Sequence, residues 1–420
     1  MEFKYNIDSR PPFAQLLLYG LQWFVLALAV VVTSLFIAVG TPAERILYAQ
    51  KVFALMGGAT IIQALWGHRM PIVVGPAAVL LVGIISALAS QGEEVNTNKI
   101  YTAIMVGGVA ITLISMAGAL RHLQRIFTPR IVVVILMLIA ITLGPTIKNL
   151  IFPANEVARH GFGLWFTILG VPSITLIANK LKGVIKSIVI PISLIAGCII
   201  YYSIYGGFGV TTHSAEAAGG ILLPNIEFDG SMIIAFIFCY ITLLINDVGS
   251  IQSLGSMLGT TDSDKRCRRG VTITGLLNIT AGAMGIIGPV NFSMSPGVIA
   301  SSSCASRYAI IPAGIALILC AFSPSLISVA SAIPNPVIGV ILLYLMGTQL
   351  AAAFVMMTTT DSGRTFDDAL IIGLPVMAAM LFGAIPMDVI PSLVRPLIGN
   401  GFAMGVIIVM LLEHIILRKR

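Results

Sequence analysis

Apolar runs of helical length recur along the whole chain, beginning with Phe13 to Ala38, and they decide what such a chain can fold into. Within lipid every backbone N–H and C=O must be satisfied internally, and a helix does this by itself. The chain therefore reads as an all-α polytopic membrane protein. Composition agrees, with 57% hydrophobic residues, 10% charged residues and a mean hydropathy of +1.00, which excludes a soluble enzyme. Met1 to Pro12 is polar and the first apolar run is too long for a signal-peptide core, so that run is expected to be the first span.

The runs predict fourteen spans, at 13–38, 46–66, 71–90, 100–120, 129–148, 162–179, 184–205, 231–257, 270–288, 295–306, 308–330, 335–357, 368–386 and 399–417. Charge tests the count. With both termini cytoplasmic, 18 of the 24 Lys and Arg residues fall on the cytoplasmic side, among them Arg69, Arg125, Arg130, Lys265, Arg266, Arg268, Arg269 and Arg307. The net charge of +7 is thus an orientation signal spread over short loops, and no nucleic-acid partner is implied. The five cysteines show no metal-ligand spacing; Cys267 sits in a basic loop and the other four lie in apolar segments. The histidines fall in loops or near span ends, which argues against a buried histidine relay.

Two apolar runs are broken by Pro and Gly. One is Met70 to Val79, Met-Pro-Ile-Val-Val-Gly-Pro-Ala-Ala-Val; the other is Met294 to Ser303, Met-Ser-Pro-Gly-Val-Ile-Ala-Ser-Ser-Ser. Paired interruptions in two halves are the best sequence pointer to a transporter's binding site. A similar opening, Phe127-Thr-Pro-Arg and Ile333-Pro-Asn-Pro before Val/Ile runs, follows each interruption by two spans. Seven spans is an odd number, so two such halves, 1–215 and 216–420, form inverted repeats with short broken third and tenth spans. Helices starting near Gly75 and Pro296 would aim main-chain N–H groups of Gly75, Ala77, Ala78, Gly297 and Val298 at a shared polar or anionic solute. Pro76 and Pro296 donate none.

Among seventeen carboxylates only Asp247 lies well inside a predicted span. A buried ionisable group of this kind is a functional candidate by default, and its alternative is a structural cap or a pairing with a buried donor. Asn246 and Ser250 share a helix face, whereas Asp247 points about 100° away. Ser301, Ser302 and Ser303 line a site or bond back to their own helix. Gly57-Gly58, Gly107-Gly108 and Gly282 read as close-packing positions. Neither paired acids nor a His/Cys pair suggests an enzyme, and no cofactor or metal is expected.

These residues together resemble the nucleobase/ascorbate transporter family, which includes uracil, xanthine and urate permeases. Gly20-Leu21-Gln22-Trp23 is similar to its first-span Leu-Gln-His, Arg69 to Pro76 to its third-span start, and Arg125 to Pro129 with Gly144-Pro145 to its fifth span. Gly288-Pro289-Val290-Asn291, Gly297-Val298-Ile299-Ala300 and Ser306-Arg307 resemble its tenth-span region. Met294 and Ser295 stand where the family has Gln or Glu and then Asn. Asn246 stands at its eighth-span Glu, and Trp23 at its first-span His.

The resemblance implies a core domain of spans one to four and eight to eleven moving against a gate domain of spans five to seven and twelve to fourteen. It also implies short strands pairing before Gly75 and Pro296, and a homodimer. The expected function is secondary active transport of a nucleobase-like solute across the plasma membrane, coupled to a proton or sodium ion. Binding is expected at Trp23, Gly75, Pro76, Ala77, Ala78, Asn246, Ser250, Met294, Ser295, Pro296, Gly297 and Val298, and coupling at Asp247. The rival expectation is an inorganic or carboxylate anion transporter of the same fold, or an uncoupled facilitator.

Overall fold

A computed structural model describes residues 3–38, 41–90, 96–120, 128–153, 160–180, 184–206, 222, 225–292, 295, 299, 304–323, 326–327, 333–359, 363, 365–386, 389–391 and 394–417. The first half contains α1 (Phe13–Val32, continued by a 3-10 turn), α2 (Pro42–Leu65), β1 (Val74–Pro76), α3 (Ala78–Ser90), α4 (Thr97–Met116), α5 (Pro129–Thr142), α6 (Gly144–Ile151), α7 (His160–Lys180) and α8 (Val184–Tyr205). The second contains α9 (Gly230–Met257), α10 (Ser263–Ala283), β2 (Pro289–Asn291), α11 (Ile311–Ala321, entered by a 3-10 turn at Arg307–Ile310), α12 (Asn335–Thr359), α13 (Phe366–Ala384), α14 (Arg395–Ile398) and α15 (Gly401–Leu411, continued by a π-helical turn at Leu412–Ile416). Among the described residues eight helices are long and apolar enough to cross a membrane. Shorter apolar helices cover Ala78–Leu88, Ile192–Tyr205, Arg307–Ala321 and Gly401–Ile416.

Local chemistry sets the helix starts. Thr41 and Glu44 form a capping box ahead of α2, with Pro42 in the first turn where its missing N–H costs nothing. On α5 the Thr128 side chain accepts from Ile131 N–H with Pro129 in the first turn, and Thr365 with Asp368 forms a second capping box ahead of α13. Gly144-Pro145 divides the expected fifth span into α5 and α6, which share Leu143 at the break. The expected ninth span starts earlier than the apolar run, at Ser263, because an Asp262–Arg266 ion pair one turn apart extends the helix into the charged segment. Cys267 is therefore a buried helical residue, not part of a basic loop. Most of the expected tenth span lies outside the described residues; of it, Ser295, Ile299 and Cys304 to Ser306 are described.

Helix packing falls into two groups. In one, α4 packs on α10 and α9, and α11 packs on α2 and α1, with α3 and both strands against α9, α2 and α1. In the other, α12 packs on α5, α6, α7 and α8, while α13 and α15 pack on each other and on α5. The α4–α10 and α2–α11 contacts are both built on facing glycines. A Cβ at Gly108 would stand 2.9 Å from the Gly275 carbonyl, and one at Gly57 would stand 2.5 Å from the Gly314 carbonyl. Gly107 and Gly282 are equally crowded, by Tyr240 and by Met105, so they are packing positions; Gly58 has open space.

Candidate functional site

β1 and β2 pair antiparallel, with Val74 opposite Asn291, Gly75 opposite Val290 and Pro76 opposite Pro289. This is the strand pairing that the resemblance implied. The ladder is extended by Phe292 N–H donating to the Val73 carbonyl (2.9 Å) and Ala77 N–H donating to the Gly288 carbonyl (3.0 Å). The two prolines face each other between those bonds, where neither needs an N–H. Gly75 is obligatory in this crossing, since a Cβ there would stand 2.5 Å from Val30 Cγ1 of α1. Gly288 is equally confined, by Asn278 Oδ1 at 1.7 Å from an added Cβ. Asn278 itself donates to the Thr274 and Pro289 carbonyls at 2.7 and 2.9 Å, tying β2 to α10.

Asp247 lies behind this crossing, fully buried on α9. Its Oδ1 accepts from the backbone N–H of Asn291 (2.9 Å) and from Asn291 Nδ2 (2.7 Å), and its Oδ2 accepts from Thr274 Oγ1 (2.9 Å). Gln63 Nε2 on α2 donates to Thr274 Oγ1 and to the Gly270 carbonyl, each at 2.9 Å. His68 Nδ1 accepts from Met70 N–H at 3.0 Å, so its Nε2 carries the proton and donates to Asn291 Oδ1 at 3.1 Å. The turn holding His68 runs through Arg69 at φ 55°, a left-handed conformation that costs a side chain about 1–3 kcal/mol. Arg266 holds it by donating to the His68 and Arg69 carbonyls at 3.0 and 2.8 Å.

The remaining site residues divide by placement. Gly75, Pro76 and Ala77 are buried in the crossing, and the Ala77 amide is spent on the ladder, so the first turn of α3 begins to offer amides at Ala78. Asn246 is exposed on α9, whereas Ser250 is buried and its hydroxyl returns to the Asn246 carbonyl at 2.8 Å. Ser295 joins the two strand segments, accepting from Val73 N–H and donating to the Phe292 carbonyl, each at 3.1 Å. Trp23 is packed in the core at 1% exposure. Its neighbour Gln22 keeps a buried Oε1 with no hydrogen-bond partner among the described residues. Met294, Pro296, Gly297, Val298 and Ser301 to Ser303 lie outside the described residues.

Gln63, Thr274 and Asn278 carry no motif in the sequence, Asn291 appears there only within the Gly288-to-Asn291 resemblance, and His68 reads as one of the histidines near span ends. His68 does follow the end of α2, but it is fully buried. A usable signal was present in α10, where Thr274 and Asn278 lie at i and i+4 on a face whose neighbours Gly270, Val271, Leu277 and Ala281 are apolar or small.

Comparison with known proteins fits this architecture. The Permease family model Xan_ur_permease matches residues 14–391. A Clostridium perfringens protein carrying a purine-permease name is 27% identical over 98% of this chain and 92% of its own length. The uric acid permease PucK of Bacillus subtilis is 25% identical over 83% of this chain and 82% of its own, and the xanthine permease of the same organism is 24% identical over 88% and 85%. Among solved structures, the transmembrane domain of the cyanobacterial bicarbonate transporter BicA aligns with a TM-score of 0.57 at 16% identity, covering 85% of this chain and 97% of that one. SLC26A9 aligns with a TM-score of 0.59 at 12% identity, covering 95% and 65%. At those identities the structural matches speak for the fold alone. The family model spans most of the chain, and the chain is a membrane permease, not an enzyme, belonging to the nucleobase/ascorbate transporter family.

Proposed function

We propose that this permease is a secondary active transporter of a nucleobase-like solute of the uracil, xanthine or urate class, coupled to a proton or cation at Asp247. The observation that carries the reading is the β1–β2 crossing, which starts α3 at Ala78 against α9, the helix that exposes Asn246. Amides of a helix's first turn suit the carbonyl oxygens of a base, and Asn246 adds a donor and an acceptor. Trp23, Met294, Ser295, Pro296, Gly297 and Val298 complete the site by their match to the family's motifs. Among the described residues Asp247 is held only by neutral donors, with no bonded cation to fix its charge.

The two packing groups support a core and a gate that move against each other in an elevator cycle. Their symmetry supports two inverted repeats of seven spans. The α4–α10 contact matches α11–α2 under exchange of the halves, and Gly108 facing Gly275 matches Gly314 facing Gly57. A homodimer in the plasma membrane with cytoplasmic termini belongs to the same reading.

Uptake of labelled xanthine, uric acid and uracil into proteoliposomes, with and without an imposed proton gradient, tests it. Accumulation of one base against its gradient, lost in Asn246→Ala, is the expected result. Asp247→Asn is expected to abolish coupling while leaving solute binding intact; unchanged pH-dependent uptake would remove Asp247 from that role. A second reading is favoured by Asn246 and Met294, which leave no carboxylate at the family's two acidic positions to repel an anion. Stabilisation by bicarbonate or sulfate, with none by any base, would establish that reading instead. Equilibration without accumulation would indicate a facilitator.

A further inference from the structure

Among the described residues Asp247 accepts three hydrogen bonds, and the network fixes the direction of two of them. Met70 N–H sets the His68 tautomer and His68 Nε2–H sets the Asn291 amide, so Asn291 Nδ2 faces Asp247 Oδ1 as a donor. The second donor to Oδ1 is a backbone N–H, which cannot reverse. On the other side Thr274 Oγ1 already receives a proton from Gln63, and its own hydroxyl proton goes to Oδ2. Of these three donors only the hydroxyl can exchange roles by rotating about one bond.

We propose that Thr274 is the positioning residue that makes Asp247 a one-sided proton acceptor, holding the anion through Oδ2 and turning from donor to acceptor when that oxygen is protonated. The inference rests on reading Asp247 as the coupling group. On uptake, a proton adds to Oδ2 and the new O–H donates to Thr274 Oγ1. The Thr274 hydroxyl proton then turns to the Gly270 carbonyl, one helical turn earlier, a usual acceptor for threonine in a helix. No bond to Oδ1 changes, so Asn291 and the β1–β2 crossing keep their register in both charge states.

The surroundings supply few competing charges. On the neighbouring elements, His68 bonds Asn291 and Arg266 is engaged with two carbonyls, while Cys267 on α10 and Tyr240 on α9 are buried. On α4, Lys99 pairs with Asp229 and Tyr101 packs its backbone on Gly282, away from Thr274. Neither α3, β2 nor α15 carries a titratable side chain; α14 brings Arg395.

The test is the pH profile of initial base uptake in proteoliposomes for wild type, Asp247→Asn, Thr274→Val and Thr274→Ser. Thermal stabilisation by the same base confirms that each variant binds. Losing a hydrogen bond to the anion is expected to move the Thr274→Val midpoint upward by about one to two pH units, and Thr274→Ser is expected to restore it. If Thr274→Val does not fold, Thr274→Cys, of similar size with a weaker donor, is expected to shift the midpoint in the same direction by less. A flat Asp247→Asn profile beside an unmoved Thr274→Val profile overturns the role of Thr274 and leaves coupling at Asp247 standing. A pH dependence that persists in Asp247→Asn overturns both.

Discussion

The two helix groups bury carboxylates in opposite ways. In the group containing β1 and β2, Asp247 is surrounded by an amide, a hydroxyl and a backbone N–H. In the other, Arg130 at the start of α5 reaches both Asp368 of α13 and Glu413 of the final π-helical turn. Its Nη2 and Nε stand 3.0 and 3.2 Å from Glu413 Oε1, and Nη1 contacts Asp368. One guanidinium thus pins three helices together, while Glu413 Oε2 is buried without a hydrogen-bond partner among the described residues. A charge fixed by a guanidinium is committed to structure, whereas one held by neutral dipoles stays free to change protonation state. On the proposed reading, that difference puts the coupling group in the first group and the rigid support in the second.

The sharpest way to break the comparison is Arg130→Met, which strands two buried carboxylates. It is expected to lose about 3–5 kcal/mol, read as a fall in melting temperature of the detergent-purified protein. A melting temperature equal to wild type would mean that the cluster does not support the fold. Next come the facing glycines. Gly108→Ala and Gly314→Ala each drive a Cβ within 3 Å of a neighbour, and each is expected to cost about 1–3 kcal/mol. Similar losses at both positions would sharpen the case for two equivalent halves, and a loss at only one would weaken it.

Ser295→Ala removes the hydroxyl that accepts from Val73 N–H, and about 1 kcal/mol of thermal stability is expected to go with it. Asn246→Ala is expected to change stability by less than about 0.5 kcal/mol because its side chain is exposed, and, on the proposed reading of it as a solute ligand, to reduce base-dependent stabilisation. The smallest effect lies outside the spans, at Glu227, whose carboxylate is held below the usual range by hydrogen bonds from Asn98 and Asn96. Because its folded value is depressed, its contribution is present above the ordinary glutamate value and is lost as pH falls through the folded one. A melting curve against pH should therefore lose a small increment in acid, and Asn96→Ala should reduce that increment.

Much of the architecture was legible in the chain itself because membranes simplify the code. Runs of apolar residues, caps such as Thr41-Pro42 and Thr128-Pro129, and the Pro/Gly break at 75–76 are local signals that the helices follow, whereas the break at Gly144-Pro145 divides a run that reads as one span. Asp247 stood out for the same reason, since a carboxylate in an apolar run is conspicuous without any knowledge of its neighbours. Its partners did not stand out. Gln63, His68, Thr274 and Asn291 are polar residues of ordinary type, separated from Asp247 by 27 residues at the nearest.

What the sequence determined by itself was therefore the class of protein, the helices, the two interruptions and the isolated acid, because each depends on residues adjacent along the chain. Only the tertiary structure decided that β1 pairs with β2, that Ala77 spends its amide there, and that Asp247 meets three neutral donors of which two are fixed in direction. Hydrogen-bond direction depends on which groups from distant segments meet, and on which of them are already committed elsewhere. A linear pattern carries no record of either.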